Sequence, residues 1–214
     1  MRRFIFACFA LLALGGCQSA YYSAMEKAGI HKRDILVDRV EESRDAQQEA
    51  KQQFKDALER YRSVVEVKGG DLEKRYDALN EEYEASAASA RDVRARIEAV
   101  EDVADALFRE WESELKQYSN ASLKAASAKE LNRTRAEYRT LIQRMKAAEK
   151  RIDPVLSVLR DQVLFLKHNL NARAISALHG EYRTLLGNVD QLMADMQRAI
   201  DEADTFIRRL QADD

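Results

Sequence analysis

The sequence predicts an all-α protein: an elongated antiparallel coiled-coil bundle of four long helices, with the middle hairpin projecting beyond the rest. Three observations predict it. Of 214 residues, 34% are charged, and only seven are Gly and one is Pro, the composition of long amphipathic helices. A β-rich or loop-rich fold needs more turn residues. From residue 34 onward, apolar side chains recur at alternating spacings of three and four, the left-handed coiled-coil period. This periodicity, with 46% hydrophobic residues, also separates the chain from disordered sequences.

Each helix follows from its own seam. The first run reads Leu36, Val40, Ser43, Gln47, Ala50, Phe54, Ala57, Tyr61, Val64. The second starts at Leu72, Tyr76, Leu79 and continues through Ser86, Ala90, Val93, Ile97 and Val100 to Leu107 and Trp111. The third goes from Leu131 and Thr134 through Leu141, Met145, Ala148 and Ile152 to Leu159, Gln162 and Leu166. The fourth goes from Ile175 and Leu178 through Leu185, Val189, Leu192 and Met196 to Phe206 and Leu210. Breaks fall where helix-ending chemistry gathers. Gly69-Gly70 ends the first helix, and Asp71 can cap the second. Ser119-Asn120-Ala121-Ser122 parts the second from the third, and Asn169-Leu170-Asn171 parts the third from the fourth. Short connections make consecutive helices antiparallel neighbours.

Helices of about 47 residues for the second and third, against about 34 and 38 for the first and fourth, leave the hairpin around Asn120 projecting. Leu107, Phe108, Trp111, Leu115, Tyr118 and Leu123 lie in it. Pro154 is the one conflict, because an interior Pro removes a hydrogen bond and costs ~3 kcal/mol. The seam keeps its register across it, which predicts a kinked continuous helix; the alternative is a new helix capped by Asp153 with Pro154 in its first turn. Small residues over 85–90 read as tight helix packing, with a groove for a partner helix as the alternative.

Residues 1–16 have the form of an export signal: Arg2 and Arg3, an apolar core over 4–14, then Gly15 and Gly16. That core is shorter than the ~20 residues a membrane span needs. Leu14-Gly15-Gly16-Cys17 resembles the bacterial lipobox. The resemblance implies cleavage before Cys17, diacylation of its thiol with chains such as palmitate, and usually acylation of the new amine. Cys8 is lost with the leader, so Cys17 is the sole cysteine of the mature chain, and neither an internal disulfide nor a Cys-based metal site can form. Two acyl chains suffice for stable anchoring at ~0.8 kcal/mol per buried methylene. Gln18, rather than Asp, follows the cysteine. By the enterobacterial pattern this resembles an outer-membrane rather than an inner-membrane lipoprotein, facing the periplasm. The expected organisation is a signal peptide at 1–16, a lipid anchor and membrane-proximal segment at 17–33, and a helical domain at 34–214.

Chemistry is otherwise scarce. Losing Arg2 and Arg3 takes the 35 basic residues to 33 against 37 acids, a net −4, with both signs interleaved; a nucleic-acid surface concentrates its cations instead. Gly69-Gly70 lacks the rest of a phosphate loop, which excludes the nucleotide chemistry of the repair ATPases whose arms such coiled coils resemble. His31, His168 and His179 have no metal-ligand spacing. No nucleophile elbow occurs, and the carboxylates fall at outward positions near Lys or Arg, as surface pairs do. The reading is a non-enzyme without cofactor, metal, nucleotide or nucleic acid.

Two segments exceed what a bundle needs. Residues 21–34 hold Tyr21, Tyr22 and three basic residues, a composition suited to a membrane interface. Residues 161–173 are apolar on more than one face, through Val163, Leu164 and Phe165, and then polar. A wider core and a partner or dimer surface both account for this. Residues 21–40 and 161–173 also resemble the signature stretches of an uncharacterised bacterial lipoprotein family, domain of unknown function 2959. The likeness covers essentially the mature chain and implies an α-helical envelope protein with no catalytic residue or cofactor. The expected function is a scaffold or adaptor for an envelope protein partner, held to the membrane through Cys17. Trp111, Tyr118, Phe165, Lys167, His168 and Arg173 are its candidate partner surface. The alternative is a self-assembling, membrane-shaping module similar in outline to crescent-shaped BAR domains.

Overall fold

The computed structural model describes residues 16–66, 71–169 and 172–212. Leu14 and Gly15 of the lipobox, the rest of the leader, the Gly69-Gly70 turn and Leu170-Asn171 lie outside the described residues. Those described form five helices and no strand: α1 (Gly16–Lys27), α2 (Lys32–Glu66), α3 (Leu72–Glu114), α4 (Ala121–His168) and α5 (Ala172–Ala212). The four long helices are those expected from the heptad runs.

They pack as a closed ring, with α2 against α3, α3 against α4, α4 against α5, and α5 back against α2. Cross-helix bonds give the direction. Going up α2, Arg44 meets Asp204 of α5 at 3.1 Å, and Tyr61 Oη donates to the Leu178 carbonyl at 2.8 Å. Falling numbers on α5 against rising numbers on α2 make the pair antiparallel. The seam residues fill the interior: Leu36, Phe54, Ile97, Leu141, Ile152, Leu185 and Met196 are fully buried. So are the polar seam members Ser43, Gln47 and Ser86, because heptad position fixes the inward direction whatever the residue.

Caps stop the helices where expected. Asp71 accepts from the Glu73 and Lys74 amides at 3.0 and 3.4 Å, and Asn120 from Ser122 and Leu123 at 2.9 and 3.1 Å, so each supplies acceptors for first-turn donors that no helix carbonyl can reach. Arg75, buried at the start of α3, donates to the Val64 carbonyl at 3.1 Å and closes the last turn of α2. The second long helix is shorter than expected, at 43 residues, because 115–117 leave the helix as a turn. Pro154 lies inside a continuous α4. Asp153 does not cap a new helix; it pairs with Arg94 of α3.

The departure from expectation is α1. Residues 17–33 do not simply lead from the anchor to the bundle. Most of them form a helix that doubles back along α2, with Glu26 paired to Lys32 and Tyr21 beside Arg39. Tyr22 is only 7% exposed, and Met25 also packs on the core. The reversal is a Schellman motif. The Gly29 amide donates to the Glu26 carbonyl at 2.9 Å and the Ile30 amide to the Met25 carbonyl at 3.0 Å, with Gly29 at φ +82°. A glycine takes that left-handed conformation without the Cβ penalty. The His31 amide then donates to Asp34 Oδ2 at 3.0 Å and opens α2.

Candidate functional site

The ring brings some candidate residues together and separates others. Lys32, at the start of α2, meets Glu110 of α3 at 2.8 Å. Arg209, near the end of α5, meets Glu130 of α4 at 3.1 Å. The four-helix section therefore ends at about the level of Glu110 and Glu130, and the α3–α4 hairpin continues past it as a tip. Trp111 sits at the base of that tip. It is half-buried against the core, and its Nε1 donates to Ser127 Oγ at 2.8 Å, tying the two helices of the hairpin. Its ring is thus committed to the fold. Tyr118, in the tip, is 41% exposed.

Phe165, Lys167, His168 and Arg173 belong to the opposite end. Between it and the tip runs α4, whose 48 residues span about 70 Å. The six candidates therefore form two surfaces. At the far end the apolar run divides: Val163 turns into the core, while Leu164 and Phe165 stay 48% and 42% exposed. The core thus takes Val163 and leaves Leu164 and Phe165 at the surface. Lys167 and His168 are exposed in the last turn of α4. Asn169 Nδ2 donates to the Phe165 carbonyl at 2.9 Å, so the turn is closed by its own side chain. Arg173 lies in the first turn of α5.

Gly16 and Cys17 lie in the first turn of α1. Tyr21 lies beside Arg39, and Ser43 meets Met145 midway along α4, so the doubling back carries the start of α1, with Cys17, away from the tip and towards the middle of the bundle. Sequence reasoning did not find this placement. The signal for it was present in Gly29, followed by the apolar Ile30, after the Tyr22 and Met25 stripe.

One cavity of about 290 Å³ opens at the base of the tip, lined by Arg33, Leu107, Trp111, Glu130, Thr134 and Leu210. Its charges are engaged within the fold. Arg33 donates to the Leu210 carbonyl, and Glu130 holds Arg133 at 2.7 Å as well as Arg209. Burial pushes the Glu130 carboxyl up, but those two arginines outweigh it and hold the group below the ordinary carboxylate range. A carboxylate so stabilised is ionised at neutral pH and a poor proton donor. Among the described residues no group of three His, Cys, Asp or Glu side chains is placed to hold a metal ion, and no helix is long and apolar enough to cross a membrane. Among the cavities and clusters described, none assembles a nucleophile, a base and an oxyanion site.

A family model described as "Protein of unknown function (DUF2959)" matches residues 21–210, from α1 to the last turn of α5. No curated protein and no solved structure matches the chain.

Proposed function

The chain belongs to the DUF2959 family, whose function is unknown, and on that premise we propose that it is a lipoprotein of the outer membrane, facing the periplasm, that acts as a non-catalytic scaffold for an envelope protein. Cys17 carries the acyl chains, and the far end of the bundle meets the partner. The observation that carries this reading is the Leu164–Phe165 pair. Two large apolar side chains stand exposed beside Lys167 and His168 in the last turn of α4, at the end opposite the hairpin tip. Such a patch, rimmed by polar groups and held on a rigid helix end, is what a protein contact needs.

The test has two arms. Fatty-acid labelling followed by membrane fractionation should place the wild type in the outer membrane and release Cys17→Ser from it. Photo-crosslinking probes at positions 164 and 165, in the native envelope, should give a discrete protein adduct that Phe165→Ser abolishes. Unlabelled, freely released wild type would sink the anchor. Probes at 164 and 165 that trap no protein would sink the scaffold.

A further inference from the structure

We propose that the α3–α4 tip is a membrane-contact element of its own, which binds the surface of a bilayer rich in anionic lipid without help from an acyl chain. The first observation is charge. Residues 115–129 contain Lys116, Lys124 and Lys129 and no Asp or Glu, so this run carries +3 in a chain of formal charge −2. Among the described residues none of these lysines forms an ion pair. The bordering acids are largely neutralised, since Glu130 is held by Arg133 and Arg209, and Glu112 by Arg135 at 2.8 Å. Only Glu114, exposed at the base of the tip, stands against the three cations.

The second observation is where the exposed apolar side chains lie. Leu123 is 58% exposed and Tyr118 41%, one on each side of the Asn120 cap. Ile30 is exposed as well, and it lies just before Lys32, which meets Glu110 at the base of the tip. Three of the six large hydrophobic residues exposed among those described thus gather towards one end, although they are up to 93 residues apart in sequence (Ile30 to Leu123).

The chemistry of the tip favours a headgroup layer over a protein groove. A protein interface needs a contiguous apolar centre. Beyond Leu123 the start of α4 offers small residues instead, Ala121, Ala125 and Ala126, with Ser122. Isolated aromatic and aliphatic side chains set among lysines are what a bilayer interface takes up. Each lysine near an anionic surface strengthens binding about fivefold.

The test uses the chain from residue 17 with Cys17→Ser, which carries neither acyl group nor cysteine, so its outcome is separate from whether Cys17 is acylated in the cell. Leu123→Cys then gives a single site for an environment-sensitive fluorophore, and Phe165→Cys gives the same label at the far end. The expected result is co-flotation with phosphatidylglycerol-rich vesicles and not with phosphatidylcholine ones. The label at 123 shifts to the blue while that at 165 does not, and both effects fade as salt is raised. Neutralising Lys116, Lys124 and Lys129 together to Gln lowers vesicle affinity on the order of a hundredfold. Helicity and melting temperature are unchanged, since all three side chains are exposed. Equal binding to both vesicle types, full binding by the triple variant, a blue shift at 165 instead of 123, or capture of the tip by acidic protein or nucleic acid in place of vesicles would each overturn the proposal.

Discussion

Gln47 is a polar residue in an otherwise apolar seam. It is fully buried, its Nε2 donates to the Ser43 carbonyl at a long 3.4 Å, and its Oε1 finds no partner among the described residues. A buried acceptor left unpaired costs about 1–3 kcal/mol. Gln47→Leu keeps the bulk of the side chain and removes the orphan, so the urea midpoint should rise by the equivalent of ~1 kcal/mol; a fall of similar size would mean that the amide is satisfied after all. A polar seam residue can also fix helix register at a cost in stability. Tyr61 shows the opposite case: its hydroxyl, equally buried, is bonded to the Leu178 carbonyl, and burial raises its pKa well above the ordinary tyrosine value, so it stays a neutral donor.

At the scale of the element, α4 and α1 each carry a prediction. Pro154 is exposed within a continuous helix, so Pro154→Ala opens no cavity and restores a backbone donor. It should stabilise the protein by about 1–3 kcal/mol in thermal melts, and an unchanged melting temperature would show the local backbone to be already relaxed around the ring. The docking of α1 should depend on pH through Glu26 and Lys32. The hydrogen bond from Lys32 holds the Glu26 carboxyl below its ordinary 4.5. Its contribution is therefore present above that value and lost as pH falls through the depressed one. Burial pulls the Lys32 ammonium down, but Glu110 and Glu26 outweigh it and hold its pKa above 10.5. That contribution is present below 10.5 and lost as pH rises through the raised value. Amide protection factors over 24–27, corrected for the intrinsic pH dependence of exchange, should thus be highest between the two limits and fall at either side, while α2–α5 stay protected. Protection factors that do not change with pH would rule out this pair as the clasp. The long helices were legible from their seams because heptad spacing is a property of each segment alone. The short α1 carries two inward residues, too few for a period to declare itself, and only Gly29 marked its end.

The whole molecule is a rod with two unlike ends. A bundle about 70 Å long should have a radius of gyration near 22 Å in solution scattering, against about 17 Å for a compact chain of this length; a value at the lower figure would mean that the hairpins fold over one another. Its geometry keeps the lysine-rich tip and the Leu164–Phe165 patch too far apart to share one small partner, so substitutions at one end should leave contacts at the other unchanged.

The sequence by itself determined the helices, their seams, their caps and their antiparallel order, all of which depend on local spacing and on short connections. It also exposed the export-type leader and Cys17 as chemistry awaiting a test. Tertiary structure decided the rest. It turned Val163 inward and left Leu164 and Phe165 out, joined Trp111 to Ser127, folded α1 onto α2, and gave Arg209 and Arg135 their acids while leaving the tip lysines unpaired. Each of these depends on how separate helices pack, and the energies of burial and charge that settle them exist only once those helices meet.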